Sequence, residues 1–283
     1  SWTKIVAGMR PDDYVHAVRE DPTRRGLLYA ATQHGVYISY DEGAQWQRLS
    51  LNMPDVPVSD LIVEGNELVI ATHGRGFWVL DNIAPLRQVS SGYLATEATL
   101  FRPPTGVRSG SGVTLSWWVK TPPQRVRLDI LDSAGVVLRS FEADTARTGA
   151  APAPAPGGFR GGGRVPLPNS AGINRVSWDL RTDGASTFPG MILWGAGTNG
   201  PVVPPGRYSA RLTADDRVVT TPLRVVRNPR LTDVSDADLH AQYRFSKRVR
   251  DKVSEANDAV IAIRRVKEQV EHRLKQSTDA QLQ

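Results

Sequence analysis

The chain has no cysteine among its 283 residues. That absence excludes disulfides, thiolate zinc sites and cysteine nucleophiles together. It does not fix the compartment, because many exported bacterial proteins also lack cysteine. Nowhere is there a run of about 18 apolar residues, the length a helix needs to cross a bilayer. The opening SWTKIVAGMR lacks a charged-then-apolar leader, and serine in place of an initial methionine reads as an N-terminus that was processed or that continues upstream. Charge is not gathered either: the net +6 comes mostly from arginines scattered along the chain. A nucleic-acid binder concentrates such charge on one face among stacking aromatics, so a solvated basic surface is the reading here. The five histidines (His16, His34, His73, His240 and His272) show no metal-ligand spacing, and no G-x-S-x-G serine elbow occurs. What is present suits a folded protein of one to three domains, with 40% apolar and 23% charged residues. Glycine and proline together make about a sixth of the chain and cluster into turns and linkers.

Residues 1–90 carry a repeated β unit. In LLYAATQHGVYISYDEGAQWQRL the run Leu27–Thr32 predicts a buried strand, GVYISY a second and Gln45–Leu49 a third. Between the last two, Asp41 can accept hydrogen bonds from backbone N–H groups two residues on and Gly43 can adopt positive φ. Trp46 is expected to fold back over the hairpin and close a self-capping turn. Trp2 and Trp46 lie 44 residues apart, and ELVIATHGRGFWVLDN repeats the hairpin with one extra residue near Arg75 and without the serine and tryptophan. A period near 44 with short strands is the pattern of propeller blades.

Ser39-x-Asp41-x-Gly43-x-x-Trp46 resembles the Asp-box (BNR) repeat, with Gln45 in place of the usual threonine or serine. ATHGRGFWVLDN is similar to a closing blade of bacterial sortilin (VPS10)-like and xyloglucanase-like BNR propellers. The resemblance covers about the first 90 residues. It implies two incomplete last blades of a β-propeller, with Ser39, Asp41, Gly43 and Trp46 as structural residues on the blade periphery. It also implies export to the periplasm, the cell surface or the medium. Two blades do not close a ring, so most blades are expected upstream, as partners within the same protein.

Residues 91–230 switch to alternating short strands that suit an Ig-like or fibronectin-like sandwich of about seven strands. DSAG (132–135) predicts a tight turn, and Trp117-Trp118 one ring inward and one outward. AGINRVSWDLRTDG with PPGRYSARLTADD resembles the FlgD-type Ig domain of hook-cap proteins, which implies a core role for Trp178. The Ala/Pro/Gly tract 145–166 is expected to be a flexible insert. Its glycines do not make a phosphate loop, for want of G-K-[ST] and a following helix. The stretch FPGMILWGAGTNGPVVPPG presents Met191, Leu193 and Trp194 for packing, or for a ligand.

Residues 231–283 predict a long amphipathic helix, with a capping box at Ser235 and Asp238 and a stripe of Leu239, Tyr243, Val249, Val253, Ala256, Val260, Ile263, Val266, Val270 and Leu274. Half of a helical hairpin is the favoured expectation, with self-association through 235–276 as the other. The fold class expected is therefore mainly β with a C-terminal α segment: last propeller blades, an Ig-like sandwich, then the helix.

The expected role is non-catalytic: a binding and scaffold portion of an exported sortilin-like propeller protein recognising a peptide, protein or glycan. The alternative is the C-terminal part of a propeller glycoside hydrolase acting on polysaccharide, whose paired carboxylates lie mainly in upstream blades. Asp12, Asp13, Asp60 and Glu64 are the carboxylates here that could face a channel, and none sits in a transferable motif. His73, Arg75 and Trp194 are candidate ligand-facing residues. No catalytic residue, metal or cofactor is expected from this chain.

Overall fold

The computed structural model describes residues 3–90, 95–110, 112–143, 167–192 and 197–276. Trp2, the 145–166 tract, Leu193 and Trp194 lie outside them. The chain is mainly β with one long C-terminal helix, and it divides into two compact units, Ser1–Pro104 and Thr105–Gln283.

The first unit begins with a four-stranded antiparallel meander of β1 (Val15–Glu20), β2 (Leu28–Thr32), β3 (Gly35–Ser39) and β4 (Gln47–Arg48). A three-stranded meander follows: β5 (Val58–Glu64), β6 (Glu67–Thr72) and β7 (Phe77–Leu80). Alternation along the strands sorts the core. Tyr29 and Ala31 of β2 and Val36 and Ile38 of β3 pack with Val58, Leu61, Leu68 and Ile70 of the second sheet. Ala30 and Tyr37 point the other way, onto Trp46. After β7 come α1 (Ala84–Gln88) and β8 (Ala98–Leu100).

The two sheets repeat one another in detail. Each first strand carries a register shift near its start, between Val15 and Ala17 in β1 and between Val58 and Asp60 in β5. In each second strand the last threonine donates its hydroxyl across the hairpin to a glycine carbonyl: Thr32 to Gly35 at 3.1 Å and Thr72 to Gly76 at 2.6 Å. The following amide returns to the residue before the first strand, Gln33 to Tyr14 at 3.1 Å and His73 to Pro57 at 2.8 Å. Beyond the third strand, Glu42 N donates to Gly26 O at 3.0 Å and Ile83 N to Asn66 O at 2.9 Å. The hairpin loops differ by the one residue that the sequence shows near Arg75.

A buried ion pair ties the two sheets together through α1. Asp21, at the end of β1, accepts from Thr23 N and Oγ1, from Arg24 N, and from Arg87 Nε of α1 at 2.8 Å. Arg87 also donates to Asn66 Oδ1 in the β5–β6 turn. The Asp21 side chain is fully buried and that of Arg87 is 13% exposed.

In the second unit, β10 (Val113–Val119) pairs with β13 (Gly172–Trp178). A five-stranded sheet runs in the order β12 (Val137–Glu142), β11 (Val126–Leu131), β14 (Gly206–Ala214), β15 (Arg217–Val226), β9 (Gly106–Val107). All pairs in it are antiparallel except β15 with β9. The sheets face each other across alternate inward residues, with Trp178 meeting Tyr208 edge to face at 6.2 Å. Trp178 Nε1 donates to Arg181 O, and the Tyr208 hydroxyl to Pro204 O four residues upstream, as in the tyrosine corner of Ig-like sandwiches. Trp117 is fully buried and Trp118 only partly. At Gly106 a Cβ would stand 2.4 Å from Val113 Cγ2, so no larger residue lets β9 approach β10 this closely.

The helix α2 (Asp236–Gln276) starts at the expected capping box. Ser235 Oγ accepts from Asp238 N at 3.2 Å, and the Asp238 carboxylate accepts from Ser235 N at 3.0 Å. Its N-terminal part lies against the sandwich, where Leu239 and Asn257 are buried. Polar contacts to the irregular segment 183–189 hold it there. Arg250 donates to Asp183 O, Asn257 to Ser186 O, and Ser186 N to Ser254 Oγ. Arg264 donates to Pro189 O and lies 4.5 Å over the Phe188 ring. The aliphatic stripe read from the sequence is only partly covered: Ile263, Val266 and Val270 are at least half exposed. Among the described residues no helix is long and apolar enough to cross a membrane.

Candidate functional site

The Asp-box residues form a closed polar turn. Ser39 Oγ donates to Asp41 Oδ1 at 2.8 Å and accepts from Gly43 N at 2.9 Å, while Asp41 Oδ1 also accepts from Gln45 N at 2.9 Å. The aspartate thus serves the amide four residues on. Those bonds, the one from Gln45 N first, hold the Asp41 carboxyl below the usual range. Gly43 sits at φ +90°, and a Cβ there would come 2.9 Å from Ile5 Cδ1. Trp46 is buried, and its Nε1 donates to Ile5 O at 3.0 Å. Gly43 N, Gln45 N and Ile5 O are the backbone partners of Ser39, Asp41 and Trp46, and Ser39 and Asp41 bond each other.

His73 and Arg75 lie together in the exposed loop between β6 and β7, where Arg75 O accepts from Trp78 Nε1. Asp12 pairs with Arg10 at 2.7 Å, a hydrogen bond that lowers the carboxyl pKa. Asp13 accepts from Thr32 Oγ1 and His34 N. Asp60 pairs with Arg19 at 2.7 Å. Glu64 is exposed at the end of β5. At one end of the first sheet Asp55 gathers His34 at 2.9 Å, Arg10 at 3.5 Å and Arg48 at 3.8 Å. Its carboxyl is lowered, by the His34 bond first. Among the described residues no group of three or more His, Cys, Asp and Glu could hold a metal ion.

One cluster is not visible in the sequence. Where α2 crosses the 197–202 segment, a groove of about 450 Å3 is lined by Arg108 after β9, Arg181 after β13 and Arg250 of α2. Arg108 and Arg181 stand 73 residues apart in the chain and Arg250 a further 69, so no local pattern links them. Arg108 donates to Val203 O and to Gln242 Oε1 of the helix, Arg181 to Gly200 O. Burial lowers the pKa of Arg108, and the charge of Arg181 lowers it further. The two guanidinium groups share a concave, partly apolar groove whose lining holds no carboxylate.

A scan against protein-family models gives no match, and no curated protein matches the chain. Solved structures aligned with it include the BSP domain of a biofilm-associated protein, with 11% identity over 71% of this chain and 26% of that one, at a TM-score of 0.24. The extracellular domain of a one-component system from B. thetaiotaomicron aligns at 6% identity over 78% and 26%, with a TM-score of 0.22. A Salmonella alpha-2-macroglobulin mutant aligns at 14% identity over 76% and 12%, with a TM-score of 0.25. The chain spans 12–26% of the length of these structures, and TM-scores of this size lie below what a shared fold gives.

Proposed function

We propose that this chain is the non-catalytic binding and scaffold portion of an exported Asp-box propeller protein, one that recognises a peptide, protein or glycan through its blade loops. The observation that carries the reading is the repeat of bulge, threonine–glycine clasp and loop amide between the four-stranded and the three-stranded sheet of the first unit, which supports reading them as two copies of one blade unit. Propellers take four to eight blades, so in this reading further blades complete the ring. Ile62, Phe77 and Val79 on the outer face of the second sheet, each at least half exposed, are the surface such a neighbour would cover. His73 and Arg75, in the one hairpin loop that is longer than its counterpart, are the ligand-facing pair.

The hydrolase alternative draws little support from these residues. A glycosidase acid holds its proton near neutral pH, whereas the Arg10 bond drives Asp12 the other way. The full chain, immobilised and offered peptide and oligosaccharide libraries, is expected to give saturable binding without turnover. That binding should weaken about tenfold in the His73→Ala, Arg75→Ala double variant at unchanged melting temperature, on the scale of lost charge-assisted contacts. Release of reducing sugar from polysaccharide by the same sample would sink the proposal in favour of the hydrolase.

A further inference from the structure

The groove between α2 and the sandwich carries positive charge with little to answer it. Its lining includes Arg108, Arg181 and Arg250 and no aspartate or glutamate. The acceptors of Arg108 are neutral: a backbone carbonyl and the Gln242 amide. The carboxylate near Arg181, that of Asp179, stands 4.0 Å away on a side chain 61% exposed, where water screens it. Asp251 approaches Arg250 Nε to 2.7 Å but off the N–H direction, so that buried hydrogen has no acceptor. Burial first, and then the neighbouring charge of Arg181, penalise the Arg108 cation, and an entering anion relieves both.

The opposite wall is of another kind. Phe245, Val249 and Val253 line it, with Phe245 65% and Val249 48% exposed. A second concavity continues from these residues along the helix to Ala256, where Arg248 and Lys252 stand beside Asp251 and Glu255. An extended peptide sends successive side chains to opposite sides, so one that alternates acidic and aliphatic residues offers a carboxylate to one wall and methyl groups to the other. A uronic-acid glycan offers the charge without the methyl groups.

We propose that this groove binds an acidic peptide segment, with a carboxylate held by the planar forks of Arg108 and Arg181 and an adjacent aliphatic side chain resting on Phe245, Val249 and Val253. The forks match carboxylate geometry in two parallel bonds, and the volume of about 450 Å3 admits a few side chains. The site lies wholly within the second unit, so it goes beyond the blade-loop reading and stands or falls separately from it.

The test is calorimetric titration of the full chain with an N-acetylated hexapeptide alternating glutamate and valine. The same hexapeptide with glutamine for glutamate, inorganic phosphate and an oligogalacturonate serve as comparisons. Saturable binding of the acidic peptide is expected, weakening with added salt and falling about tenfold or more for the glutamine peptide and for Arg181→Gln. Arg108→Lys, which keeps the charge and loses the fork, should give a smaller loss, and circular dichroism checks that both variants fold. Equal binding of the glutamine peptide, an unaffected Arg181→Gln, or no binding at all overturns the proposal. Binding of phosphate without the peptide would make the groove a bare anion site, and tighter binding of the oligogalacturonate a glycan site; either result overturns it as well.

Discussion

At the scale of the residue, Asp21 carries the clearest test of the buried ion pair in the first unit. Desolvation alone would raise its pKa, but the bond from Arg87 and those from Thr23 outweigh it and the net shift is downward. Asp21→Ala leaves the guanidinium of Arg87, 13% exposed, with the Asn66 amide and no counter-charge. Breaking a buried pair from one side costs about 3–5 kcal/mol, a large share of the roughly 5–15 kcal/mol that holds a domain folded. Urea unfolding of the first unit should register that loss. Tyr29→Phe is the matched control: its buried hydroxyl has no protein acceptor, so a change within about 1 kcal/mol is expected. The same carboxylate gives the pH dependence its sign. Because its folded pKa lies below the unfolded value of about 3.9, its contribution is complete above about pH 5 and is lost as pH falls through the folded value. Acid titration of stability should therefore be shallower in Asp21→Asn than in the parent; equal slopes would show that Asp21 is not the group being titrated.

At the scale of the element, α2 is two helices in one. Through about residue 264 it is held by Leu239, Arg250, Ser254, Asn257 and Arg264 against the sandwich and the 183–189 segment, whereas residues 265–276 are exposed throughout. A helix of about 12 residues is marginal alone in water, so that end is helical chiefly by continuing the docked part. Hydrogen exchange should show protected amides up to about Arg264 and exchange faster by orders of magnitude beyond Arg265; uniform protection to Gln276 would contradict this. The helix also marks the limit of what periodicity reveals. The capping box at Ser235 and the heptad-like apolar spacing were legible, because both depend on neighbours within a turn or two. The docking face was not, because it is built from Arg250, Ser254, Asn257 and Arg264 reaching the backbone of 183–189. An irregular segment needs partners for its carbonyls, and no hydropathy count registers that need. The strands and the Asp-box turn were readable for the same local reason that the capping box was. The Arg108–Arg181–Arg250 groove was invisible because its members meet only after the sandwich and helix have folded.

At the scale of the whole molecule, two electrostatic trends run in opposite directions. The net charge of +6 makes copies of the chain repel, while Ile263, Val266 and Val270 present an exposed apolar stripe on α2 that a second copy can cover. Self-association measured by sedimentation should therefore strengthen with salt and disappear in Ile263→Glu. Peptide capture by the arginine groove should weaken over the same salt range, which separates the two events in one sample. The doubled meander of the first unit bears on how the chain reaches its fold. Strands β1–β3 and β5–β7 share bulge, clasp and closing amide, so the backbone pattern of one sheet is a competing partner for a strand of the other. Mispairing between copies is the characteristic folding error of repeated sequences. What tells the strands apart is their side chains, since LYAAT and LVIAT share three residues and VYIS and FWVL none, together with Ser39 and Trp46 in the first copy and the longer loop from His73 to Arg75 in the second. These act as address labels during folding, before they act as anything else.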